Sequence, residues 1–156
     1  MSTSLTEGAA KKNSAFTAIA AGGLIAGTLD LTQACILFGL KTPLAIAAGL
    51  LGRRALDGGM GTYVLGVLLH YFIAFSATAI YYAASRKLLF LTSNPFVCGL
   101  FFGVAVELMM SYIVLPLSAL HDKGPYQLHD VLLGLGMHMV TVGLPIAYSV
   151  RWFGRR

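Results

Sequence analysis

Charge is scarce in this sequence. Asp, Glu, Lys and Arg together make up 11% of it, against about 25% in ordinary soluble domains. Acids are scarcer still: six Asp and Glu stand against eleven Lys and Arg. Hydrophobic residues supply 57% of the 156 positions. A chain this small folded in water cannot hide so much apolar surface, because small domains leave much of their surface exposed. Water is thereby excluded as the solvent for most of the chain, and lipid is left. Cysteine is limited to Cys35 and Cys98. They fall in separate apolar runs, near opposite ends, which excludes a disulfide between them and reads as packing thiols.

Familiar catalytic signatures are also missing. Ser111 and Ser118 have no base at local spacing, and there is neither a phosphate-binding glycine loop nor a zinc-protease helix motif. No catalytic residue is assigned, and the chain reads as a non-enzyme. The formal charge of +5 sits at the flanks of apolar runs and is not a nucleic-acid footprint.

What is present is long apolar runs. A hydrocarbon core about 30 Å thick needs roughly 20 apolar residues per helix. Four stretches meet that length: Ala15 to Leu40, Thr62 to Ala84, Pro95 to Ala119 and Val131 to Val150. The fold class expected is all-α, a polytopic bundle of four transmembrane helices forming one domain over residues 15–150. A polar N-terminal stretch, residues 1–14, and a basic tail, residues 151–156, flank it. The first run is too long for a signal peptide's apolar region and contains Asp30. Pro116 and Pro145 are expected to kink the third and fourth helices.

Between the first two runs, Pro43 to Gly52 is apolar but too short to span. Thr42 reads as an N-cap and Pro43 as the first helical residue. The expectation is a short helix over about 43–56, interfacial or re-entrant, with Arg53 and Arg54 snorkelling to headgroups. Asp57-Gly58-Gly59 turns the chain into the second run. With four spans, one side carries Lys11, Lys12, Arg86, Lys87, Arg151, Arg155 and Arg156, and the other Lys41, Arg53, Arg54 and Lys123. This asymmetry favours both termini in the cytoplasm, with Trp152 and Phe153 at that interface.

The chain also repeats itself. The first helix reads Gly23-Leu24-x-x-Gly27 and then Asp30; the third reads Gly99-Leu100-x-x-Gly103 and then Glu107. The second reads Leu65-Gly66-x-x-x-His70, and the fourth Leu133-Gly134-x-x-x-His138. Each half is an acid helix followed by a histidine helix, so a duplicated hairpin with a pseudo-twofold axis along the membrane normal is expected. Small residues four apart let helices approach closely, which makes Gly23, Gly27, Gly66, Gly99, Gly103 and Gly134 packing positions. Spacings of three and four share a helix face, so the ionisable residues beside these glycines point at neighbouring helices.

Asp30, His70, Glu107 and His138 therefore form one buried layer near mid-membrane. An aspartate at a helix centre costs about 2.5–3.5 kcal/mol on insertion scales, and such groups are functional by default. Three uses are open, beside a purely structural network fixing register. Burial disfavours the charged form of each group and pairing favours it, which suits a proton relay or proton-linked carrier. Two imidazoles and two carboxylates suit a first-row divalent metal. His70 and His138 alone suit haem iron, with Gly66 and Gly134 making room. Thr28, Gln33, Ser111 and Thr141 are available to complete hydrogen bonds. An accessory subunit of a larger membrane complex, tolerant of change in the layer, is a further alternative, and a homodimer is plausible.

His121-Asp122 and His129-Asp130 make a second, extramembrane candidate for metal. The plainer reading is a solvated turn at Gly124-Pro125 with Asp130 capping the last helix.

Leu69 to Phe75, Val114 to Ala119 and Ala26 to Asp30 resemble stretches of small, uncharacterised bacterial four-helix inner-membrane proteins. The resemblance implies the bundle and a bacterial inner membrane, and carries no activity with it.

Overall fold

The computed structural model describes residues 2–122, 124 and 127–154, with side chains from Ser14 onward. Four helices are long and apolar enough to cross a membrane: Ser14–Phe38, Met60–Ser85, Pro95–Leu117 and Leu128–Phe153. No strand occurs among the described residues. The protein is an all-helical bundle whose surface is apolar: Phe16, Ile36, Phe72, Phe101 and Leu117 all face outward. That is the pattern lipid demands, because each backbone group is satisfied inside its own helix.

The ends have local causes. The first helix starts at Ser2 and stops after Phe38, where Gly39 turns to φ +92, a conformation glycine adopts without steric cost. The third span begins on Pro95, whose missing N–H is no loss in a first turn. At the start of the fourth span Gln127 holds the cap position, and Asp130 lies within the first turn. The expected Asp130 cap is therefore displaced by three residues, though a carboxylate in the first turn still suits the helix dipole.

The short helix runs Thr42–Leu51, followed by a 3-10 turn Arg53–Asp57. Lys41, not Thr42, stands at its N-cap. The Thr42 hydroxyl instead donates to Gly39 O at 2.7 Å, with Ala34 O of the first span 3.3 Å away as the alternative acceptor. Pro43, Leu44, Ala47 and Ala48 are buried, and Ala47 and Ala48 pack with Ala55 and Leu120. Ala119 N–H donates to Gly49 O at 2.8 Å. The segment thus bridges the ends of the first, second and third spans. Its Pro43 end rests on Gly66, six residues into the second span, about 9 Å from Met60 at helical rise.

The third and fourth spans are interrupted where the first two are not. A π turn occupies Met110–Val114 just before Pro116, and another Met139–Gly143 just before Pro145. Proline has no N–H and its ring crowds the carbonyl four residues back; the wider turn relieves both conflicts. The expected proline distortions take this form.

Close packing joins the first span to the second and fourth, and the third to the fourth. Ala26, Ala77, Tyr81, Val106, Val142, Ile146, Ala147 and Val150 form the buried centre. Pairing inside each hairpin follows the sequence repeat, but the hairpins meet unequally. The first and fourth spans pack along their length. The second and third meet more loosely, through the Tyr81 and Phe102 rings, 4.9 Å apart. The short helix, which only the first half contains, lies against the second span.

Gly66→Ala is expected to lower stability by about 1–3 kcal/mol, an overpacking cost, because its Cβ would strike the Pro43 backbone carbonyl. Gly136→Ala, with nothing within 4 Å, should be neutral or gain about 0.5–1 kcal/mol from helix propensity. Denaturant titration of both variants in one detergent checks the contrast.

Candidate functional site

Four glycines position the layer. Gly23 and Gly27 lie on Phe75, Tyr71 and Ala74 of the second span. Gly99 meets Gly143 and Ala147, and Gly103 meets the backbone of His138 and Met139. Measured from the basic end, Asp30 lies 30 − 14 = 16 residues in, His70 85 − 70 = 15, Glu107 107 − 95 = 12 and His138 153 − 138 = 15. At helical rise that is about 18–24 Å, a common depth past the middle of each span.

The layer contains one acid–histidine pair per hairpin. His138 Nδ1 lies 2.9 Å from Glu107 Oε2, and Ser111 Oγ donates to Glu107 Oε1 at 2.9 Å. The carboxylate fills the space left by Gly134, where a Cβ would come within 2.6 Å of Glu107 Oε1. In the other pair His70 Nε2 stands 3.9 Å from Asp30 Oδ2, too far for a hydrogen bond. It lies 2.9 Å from Gly27 O instead. Asp30 Oδ1 accepts from Thr141 Oγ1 of the fourth span at 2.9 Å. Each pair falls within one hairpin, the Glu107–His138 pair in direct contact and the Asp30–His70 pair not, and Asp30 links the two hairpins through Thr141. All four side chains are largely shielded, between 12% and 22% exposed, so their contacts act at low effective dielectric.

The acceptors decide the tautomers. His138 Nδ1 faces two, Glu107 and Gly134 O at 3.1 Å, so the proton belongs on Nδ1 and the Nε2 lone pair points elsewhere. His70 Nε2 faces Gly27 O and Asp30, so its proton belongs on Nε2. Thr141 is poised between acceptors as well. Its hydroxyl has one proton, yet Asp30 Oδ1 and Met137 O both lie 2.9 Å away.

The remaining sequence candidates fall elsewhere. Thr28 bonds the Tyr71 hydroxyl at 2.8 Å rather than the carboxylates, and Gln33 is a half-buried residue one turn beyond Asp30. The room beside Gly66 is taken by Pro43, and that beside Gly134 by Glu107. Both glycines serve packing rather than an open haem cleft. Among the described residues no group of three or more His, Cys, Asp or Glu side chains converges as a metal site. His121 is exposed at φ 51, and His129 pairs with Asp130 at 3.3 Å in the open. Lys123 and Pro125 of the same loop lie outside the described residues. Cys35 and Cys98 are free thiols. The sequence reading missed Tyr71 and the Gly27 carbonyl as partners. Their signal was modest: Tyr71 adjoins His70, and Gly27 shares a face with Asp30.

Fold and layer together define a multi-pass helical membrane protein with a buried acid–histidine layer. No protein-family model, curated protein or solved structure matches the chain.

Imidazole 15N NMR of the purified protein is expected to find neutral His138 protonated at Nδ1 and neutral His70 at Nε2. The opposite tautomers would contradict the hydrogen bonding described above.

Proposed function

We propose that the chain is a small proton-linked carrier or proton relay that uses Asp30, His70, Glu107 and His138. One observation carries the reading: the two carboxylates are held unequally. Glu107 is gripped on both oxygens, by His138 and Ser111, and seated against Gly134. Asp30 has one hydrogen-bond donor among the described contacts, Thr141, and that donor has an alternative acceptor. A group that must take and give up a proton needs a partner that can let go. Asp30 has that character, with His70 beside it to shuttle or gate. Glu107 and His138 form the fixed pair of the second hairpin and carry charge or a proton along the layer.

When Asp30 is ionised, Thr141 donates to it. When Asp30 is protonated, its hydroxyl donates to Thr141, which turns its own proton to Met137 O. The exchange reaches the π turn directly, since Thr141 is within it, and π turns inside helices recur at functional sites. Charge asymmetry supports both termini in the cytoplasm, and the resemblance to small bacterial four-helix proteins supports an inner membrane. Four helices enclose little, so the reading includes a second copy of the chain.

Reconstituted in liposomes with an internal pH dye and a potassium diffusion potential, the wild-type chain is expected to carry protons. Asp30→Asn should reduce the flux roughly 100-fold or more, the usual scale for a positioned proton-transfer group. Thr141→Val should fall between, and His121→Ala should match wild type. Wild-type flux equal to that of empty liposomes sinks the proposal and leaves an accessory subunit. Undiminished flux in Asp30→Asn removes the layer from the path.

A further inference from the structure

The loose seam between the second and third spans leaves a groove of about 530 Å³ at the basic end of the bundle. Its walls are Ile80 and Tyr81 of the second span and Val97, Phe101 and Phe102 of the third, with Leu91 of the connecting loop closing one end. Tyr81 offers no open polar group, because its hydroxyl donates to Leu91 O at 3.0 Å. The outer wall is lipid-facing: Ile80, Val97 and Phe101 are 60%, 51% and 71% exposed. The groove therefore presents an apolar slot to the bilayer, of a volume ordinary for a small-molecule site.

Basic residues adjoin its lining. Arg86 and Lys87 follow the lining residue Ala84 by two and three positions, and Arg151 donates to Ser93 O at 3.2 Å, next to the lining residue Asn94. Arg86 donates to Gly154 O at 2.9 Å. Each arginine is anchored through Nη1, and a guanidinium has five N–H donors, so donors remain for a phosphate.

We propose that this groove is a binding site for one anionic phospholipid, with an acyl chain along Val97 and Phe101 and the phosphate met by Arg86, Lys87 and Arg151. Charge selects the headgroup. A phosphate carrying no compensating ammonium gains from cations at the end of the groove, and basic pockets between helices at the cytoplasmic face are a recurring form of such recognition. The site is separate from the acid–histidine layer, being formed by the opposite ends of the second and third spans, and stands whether or not protons move through that layer.

The test is native mass spectrometry of the full-length protein in mild detergent. It is given equal amounts of phosphatidylglycerol and phosphatidylcholine with identical acyl chains. One phosphatidylglycerol per chain should be retained over phosphatidylcholine. Lys87→Gln should cut that preference about fivefold, the scale of one basic residue near a membrane surface. Val97→Trp, filling the slot from its exposed wall, should abolish retention of both lipids while circular dichroism reports unchanged helix. Equal retention of the two lipids overturns the proposal, as does a preference unaltered in Lys87→Gln or retention that survives Val97→Trp. A dimer that holds no lipid also overturns it, assigning the groove to a second copy of the chain.

Discussion

Where the third and fourth spans meet, backbone lies on backbone. Gly99 and Gly143 face each other, and Gly103 sits against the main chain of His138. Lipid gives apolar helices little reason to prefer each other to solvent, so association rests on close contact and on polar groups that bond across the interface. Removing side chains at these points provides the first. It also creates the second, because spans this close leave Glu107 no free volume except the gap at Gly134, which brings its carboxylate onto His138. The carboxylate–imidazole contact is a consequence of the glycine contact.

The other hairpin obeys the same logic less tightly. Gly23 and Gly27 receive the rings of Phe75 and Tyr71 rather than backbone, and a ring is a thicker spacer. Asp30 and His70 accordingly stop at 3.9 Å. His70 turns to the Gly27 carbonyl and Asp30 reaches to the fourth span. One thickness at one interface separates a closed pair from an open one.

Span length is written directly into composition, since a hydrocarbon slab requires a fixed count of apolar residues. The four spans were readable for that reason, with ends moving by a few residues. The presence of one ionisable residue per helix at a common depth was equally visible. The partners were harder to read. That Gly66 receives Pro43, or that Gly134 receives a carboxylate, depends on where a non-spanning segment folds back and on which helices are neighbours. Periodicity records the face of a helix and not what lies against it. Thr42 and Asp130 misled for a related reason: a cap preference is about 1 kcal/mol, and tertiary contacts at Ala34 or a helix start at Leu128 outweigh it. The π turns were hidden because the prolines that accompany them announce a distortion without naming its form.

Each π turn also resets the phase of its helix. It carries one residue more than an α-helix needs over the same stretch, and one residue turns a helix by about 100°. Met110–Val114 and Met139–Gly143 both belong to the second hairpin, so its helices each shift phase there while those of the first do not. Two halves that share their glycine, acid and histidine landmarks thus differ in helical phase beyond them. Two hairpins out of phase in this way lose their likeness without losing span length, and their two buried acids come to lie in different surroundings.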